Sequence, residues 1–309
     1  MRGIERAKVW YEGRLASLLE SDFGELLTRI AVGMAGRGSE CFGFDDDVSR
    51  DHDFAVGVTL WLTDEDETRY GFRLQRAYDK LVKETLPHEP EGKESKLGPC
   101  EHGVVRIGDF YRRHTGLPRA PENWREWLYT PEYAFAEATN GEVFRDDLGV
   151  FTGIRNTILH DIPEDVRLKK LAARVIMMAQ SGQYNFARCL RHGEGGAAAL
   201  ALGEFVRNAV SLIFLLNFRF APYYKWMFRA LRQLPELGGL ARDLESLLTK
   251  EEPEKLKQER VEKVCAEVLK KLRSEELTTG TDPYLEPHAF EIMKRIRSRE
   301  LRELHVMEG

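Results

Sequence analysis

The sequence predicts an α+β protein, with a first half that mixes strands and helices and a second half that is a bundle of helices. Two observations carry this reading. Residues 51–63 read as a strand, with Val56, Val58, Leu60 and Leu62 at every second position, the spacing that puts side chains on one face of a pleated chain. From Phe151 onward the signals are almost entirely helical. A chain of 309 residues, 42% of them hydrophobic, buries a substantial core and most simply makes two domains, placed at 1–150 and 151–309.

Taken in order, residues 3–19 have helical spacing, with Val9, Leu15, Leu18 and Leu19 near one side, a face expected to pack on the sheet. Residues 26–33 form the expected first strand, which runs into a turn at Gly36 to Gly38. A short helix or loop leads to the second strand at 51–63, which polar residues 63–67 end. Residues 71–83 make a helix, and the Pro-, Gly- and charge-rich 86–98 a loop. A third strand is expected at 102–107, a helix containing Trp124 and Trp127 between Pro118 and Pro131, and a last short strand at 141–144. The bundle then takes helices at 164–181, 183–190, 197–218, 222–234, 237–248, 254–275 and 287–304.

Composition narrows the function classes. A net charge of −5 gives no global pull toward nucleic acid or an anionic membrane, which disfavours a genomic DNA binder while leaving room for a local basic cleft. Four scattered cysteines, Cys41, Cys100, Cys189 and Cys265, lack the spacing of a zinc site or a disulfide framework and suit a reducing cytoplasm. The early charges Arg2, Glu5 and Arg6 interrupt any secretory apolar core. The longest apolar cluster, 209–216, is far short of the roughly twenty residues that cross a bilayer. A cytoplasmic protein with no membrane partner is expected.

The chemistry concentrates in one stretch. Gly36-Arg37-Gly38-Ser39 is a small-residue turn able to approach a phosphate, and Asp51-His52-Asp53-Phe54 follows it. On a strand Asp51 and Asp53 share a face, and two hard oxygen ligands side by side suit magnesium, which binds through one or two carboxylates plus substrate phosphates. Asp45, Asp46 and Asp47 also read as a solvated acidic loop. An EF-hand does not fit, since the glycine and glutamate its loop needs are missing.

Gly38-Ser39, the spacer 40–50 and the paired Asp51 and Asp53, led by the apolar run 30–32, resemble the signature of the DNA polymerase β-like nucleotidyltransferases. The wider text from Gly38 through Phe54, with Ala221-Pro222-Tyr223-Tyr224-Lys225-Trp226 in the helical half, is similar to an uncharacterised bacterial group within that superfamily. The resemblance implies a nucleotidyltransferase domain with a mixed sheet followed by a helical acceptor-binding domain. It also implies magnesium dependence, a nucleoside triphosphate substrate such as ATP, and transfer of a nucleoside monophosphate to an acceptor hydroxyl. A small-molecule acceptor suits the acidic chain best, with a tRNA end or a protein side chain as alternatives.

The resemblance further implies a third carboxylate on a neighbouring strand. The expected strand reads His102-Gly103-Val104-Val105-Arg106-Ile107 with no acid in its middle, so Glu101 and Asp109 flank it as alternatives, and Glu204 from the helical half is a third. Asp51, Asp53 and Asp109 are thus the candidate catalytic set. Gly38 and Ser39 are expected at the triphosphate, and Asp51 and Asp53 at the metal. Arg188 and Lys225, set among aromatics, are candidate counter-charges from the helical half, with Lys169, Lys170, Arg174 and Arg191 as further cations of a cleft between the halves. For each single cation a solvated surface charge is the simpler reading.

Two other functions have a basis in the text. A chain that kept the pocket but lacks the third acid is a nucleotide-binding sensor. Arg155-Asn156-Thr157-Ile158-Leu159-His160 resembles the Arg-to-His motif of helical HEPN ribonucleases, although Pro163 soon breaks the helix that would carry it.

Overall fold

Trp61 and its neighbours Leu60 and Leu62 explain the sheet. All three are fully buried, so their strand has protein on both faces. The computed structural model describes residues 1–46, 57–86 and 102–309, and Asp51, Asp53, Glu101 and Cys100 lie outside the described residues. The chain divides into two compact units, residues 1–121 with 134–161, and residues 122–133 with 162–309.

In the first unit, α1 (Gly3–Trp10) continues through a π-helical turn into α2 (Ala16–Asp22). Strand β1 (Ala31–Met34) follows, then β2 (Thr59–Leu62), α3 (Asp64–Thr85), β3 (Gly103–Arg106) and α4 (Ile107–Thr115). Helix α5 (Trp124–Tyr129) belongs to the second unit. After α6 (Glu132–Thr139) come β4 (Glu142–Asp146) and α7 (Val150–His160). The sheet has the order β3-β2-β1-β4 and is mixed: β1 is antiparallel to both β2 and β4, and β2 is parallel to β3.

Alternation along the strands builds two cores. Val32, Met34, Leu60 and Leu62 join Leu15, Leu19, Leu74 and Tyr78 from α1 to α3 on one face. On the other, Trp61 stacks on Phe151 at 3.9 Å between ring centroids and meets Phe110 edge-on at 5.4 Å. Helix α3 starts at Thr63, whose hydroxyl accepts from the Asp66 amide at 3.2 Å, and the acids that follow favour a helix N-terminus. It therefore covers much more than the expected 71–83.

The second unit is helical: α8 (Glu164–Met178), a π-helical stretch at Ala179–Phe186, α9 (Ala187–Arg191) and α10 (Gly195–Leu216). Then come α11 (Tyr224–Leu231), α12 (Ala241–Thr249), α13 (Glu254–Ser274), α14 (Glu286–Arg295) and α15 (Arg299–Glu303). Helix α10 is the apolar axis. It spans 22 residues, not only 209–216, and is long and apolar enough to cross a membrane, with 67% of its most apolar stretch buried inside the protein. Cys41 and Cys265 are buried free thiols, and Cys189 is a half-buried one.

Candidate functional site

The turn that follows β1 is fixed by a side chain distant in sequence. Gly36 has φ of 127°, a region that only glycine enters without strain. Its amide donates to Asn140 Oδ1 at 2.8 Å, and Asn140 Nδ2 donates back to the Gly36 carbonyl at 2.6 Å. Asn140 is itself held, because Arg155 donates to the Asn140 carbonyl at 2.6 Å and to the Gly141 carbonyl at 3.2 Å. Burial pushes the Arg155 guanidinium down from its ordinary value, but it remains a cation. Gly141 closes the corner: its φ is 70°, its amide donates to the Cys41 carbonyl at 2.8 Å, and a Cβ there would overlap the Met34 carbonyl oxygen.

An acid lies against the turn. The Ser39 hydroxyl donates to Glu40 Oε2 at 3.2 Å, and a Cβ on Gly38 would run into the Glu40 carboxylate. The Ser39 hydroxyl thus meets a carboxylate oxygen where the sequence led us to expect phosphate. Of the short helix or loop expected after the turn, the described residues form a 3-10 turn at Glu40–Phe42. Nearby, the Glu137 carboxylate lies 3.5 Å from Arg37 Nε and 3.4 Å from Nδ1 of the buried His114 ring. Asp45 has a structural role: it accepts from the Gly3 amide at 2.9 Å, a carboxylate at the N-terminus of α1.

Strand register decides what else reaches this end of the sheet. Gly33 pairs with Thr59, so the end of β1 and the entry to β2 lie at the same edge. Strand β4 opens there too, with Glu142 opposite Met34, and Glu142 accepts from Lys8 Nζ at 2.5 Å, a bond that raises the Lys8 ammonium above its ordinary value. Strand β3 runs parallel to β2, and Gly103 stands beside Thr59 while Arg106 stands beside Leu62. Asp109 comes after Arg106, in the first turn of α4, and is thus carried to the opposite end of the sheet from the turn. There it pairs with Arg112 at 2.5 Å, so the structure does not bring Asp109 to Gly38 and Ser39. Among the described residues, no group of three or more His, Cys, Asp or Glu side chains is placed to hold a metal ion.

The cations of the second unit divide into two kinds. Arg188 lies against Tyr184, donating to its hydroxyl at 2.7 Å, and Lys225 is exposed with its ammonium 4.9 Å from the centre of the Trp226 ring. Lys169, Lys170 and Arg174 are internal staples instead of a cationic wall. Lys169 donates to the His305 carbonyl at 2.7 Å, and Lys170 to the Leu128 carbonyl at 2.9 Å. Burial lowers both ammonium groups to about 8. Arg174 donates to Ser211 at 2.7 Å and pairs with Glu132 at 3.3 Å. Glu204 is spent on an exposed pair with Arg207 at 2.5 Å. Arg155 and His160 share α7, and Arg155 is engaged with the 140–141 corner.

Asn140 and Glu40 are the residues that sequence reasoning missed here. The pair Asn140-Gly141 is a recognisable turn signal, which marks the corner but not its partner on β1.

A profile for a domain of unknown function, DUF4037, matches residues 127–227. The chain is similar to the crystal structure of a nucleotidyltransferase-like protein from Exiguobacterium sibiricum. The match has 12% identity and a TM-score of 0.37 and covers 92% of this chain and 81% of that one. No curated protein matches the sequence.

Proposed function

We propose that the protein is a nucleotidyltransferase that moves a nucleoside monophosphate from a triphosphate to an acceptor hydroxyl. The observation that carries this is the antiparallel register of β1 and β2: the chain carrying Asp51 and Asp53 enters β2 at the edge where the clamped turn stands. Asp51 and Asp53 offer the hard oxygens that suit magnesium, which would neutralise charge on the phosphates. The turn contributes backbone at Gly36 to Ser39, with Gly36 held by Asn140 at both its amide and its carbonyl before any ligand arrives, which lessens the ordering left to binding. Glu40 leaves Ser39 when a phosphate takes its place; the acceptor oxygen bonds to the α-phosphorus as the bond from that phosphorus to pyrophosphate breaks, and the hydroxyl proton passes to solvent.

A second reading, a sensor that binds nucleotide without turnover, is favoured by the position of Asp109 at the far end of the sheet. Calorimetry with magnesium and a nonhydrolysable triphosphate tests the shared step. The Asp51→Asn, Asp53→Asn double variant should lose at least about tenfold in affinity, roughly 1.4 kcal/mol, and unchanged affinity would overturn both readings. Release of pyrophosphate from a hydrolysable triphosphate then separates enzyme from sensor.

A further inference from the structure

Between Glu204 and Glu236 the chain carries no Asp or Glu and five cations, Arg207, Arg219, Lys225, Arg229 and Arg232, in a protein whose net charge is −5. Aromatic residues are interleaved with the last four. Helix α11 in the middle of this stretch buries only Leu231. Tyr224 is 71% exposed, and Tyr133 and Tyr223 are exposed beside it. The three tyrosines form a continuous group, with Tyr223 and Tyr224 at 4.3 Å between ring centroids and Tyr133 edge-on to Tyr223 at 5.8 Å. Lys225 and Arg229 both lie near the Trp226 ring, at 4.9 and 5.6 Å from its centre.

We infer that this surface of the second unit binds single-stranded nucleic acid, with bases stacking on Tyr133, Tyr223 and Tyr224 and phosphates passing Lys225 and Arg229. Exposed tyrosine rings with Lys225 and Arg229 gathered over the neighbouring Trp226 ring supply the two things such a strand needs, a π-face for unstacked bases and counter-charge for its backbone. A duplex keeps its bases stacked and offers nothing to the tyrosines. An anionic bilayer fits less well, because the apolar side chains of α11 that follow Lys225, Trp226 to Phe228, are partly covered by protein and the helix has only eight residues. The inference is independent of nucleotidyl transfer, since no residue of the β1 turn takes part.

The test is fluorescence anisotropy of the full-length chain with labelled oligouridylate and oligothymidylate of about twelve nucleotides, against a duplex of equal length. Binding of either single strand in preference to the duplex is expected. Tyr224→Ala should weaken it about tenfold while Tyr224→Phe retains it, and Lys225→Ala should lower the slope of log affinity against log salt by about one. Because Tyr224 and Lys225 are exposed, the melting temperature should not move. Absence of single-strand binding, or binding unchanged in the Tyr224→Ala, Lys225→Ala double variant, would overturn the inference. So would sedimentation with phosphatidylserine vesicles that depends on these residues while the oligonucleotides fail to bind.

Discussion

Asn140 and Gly36 stand 104 residues apart and exchange two hydrogen bonds, so one short amide side chain sets the shape of the turn. Asn140→Ala strips both partners from a part-buried backbone and should cost about 1–3 kcal/mol in urea denaturation, with weaker triphosphate binding on top. Gly141→Ala is more severe, because a Cβ there meets the Met34 carbonyl in a backbone region that L-residues avoid; a loss of at least about 2 kcal/mol is expected. Lys170 gives a pH signature. Its folded-state value of about 8 lies below the ordinary 10.5. Between those values the unfolded chain holds the extra proton, and this lysine makes stability rise with pH and fall away again as pH drops toward 8. Cys265, pushed up by burial, acts in the opposite sense above its ordinary 9.0, so the difference between wild type and Lys170→Met is the clean readout. The variant should show a shallower rise in urea midpoint from pH 8 to 10.

Elements with strong periodicity were legible in the sequence, and their ends were not. The alternation through Leu60 and Leu62 located β2, and α10 and α13 follow the helical spacing closely. Asp109 shows where local reading fails. The run Val104-Val105-Arg106-Ile107 is apolar enough to pass for one continuous strand, yet the sheet ends at Arg106 and Ile107 already opens α4, turning the next acid onto a helix. Parallel pairing with β2 then fixes the end at which it emerges, and no single-strand pattern reports pairing direction. The 287–304 helix likewise divides into α14 and α15 at residues 296–298. Within α14, the Glu291 carboxylate reaches back to the chain before the helix, accepting from the Thr279 amide at 2.8 Å and from the Thr278 hydroxyl at 2.7 Å, while Thr278 also meets the buried His288 ring at 2.6 Å. These bonds, the Thr279 amide first, hold Glu291 below its ordinary 4.5. Their stabilisation is present above that value and lost as pH falls through the lower folded-state one. Glu291→Gln should therefore flatten the decline of melting temperature on the acid side.

At the scale of the molecule, neither unit is one uninterrupted segment. Residues 122–133 leave the first unit and 134–161 return to it, so the expected boundary at 150 falls on the first residue of α7. A fragment ending there lacks Phe151, which stacks on Trp61, and Arg155, which supports Asn140. Residues 1–161 should melt cooperatively in circular dichroism, and residues 1–150 should not. Helical periodicity cannot say which core a helix joins, and α7 joins the one that holds Trp61 and Phe110. The Asn140 clamp has a temporal side as well. Translation delivers Gly36 long before Asn140, and Arg155 later still, so while the ribosome is making the intervening hundred or so residues the turn has no partner to shape it. A nascent chain carries the glycines and the aspartates early, but it acquires a fixed turn only after about half of the polypeptide has been synthesised.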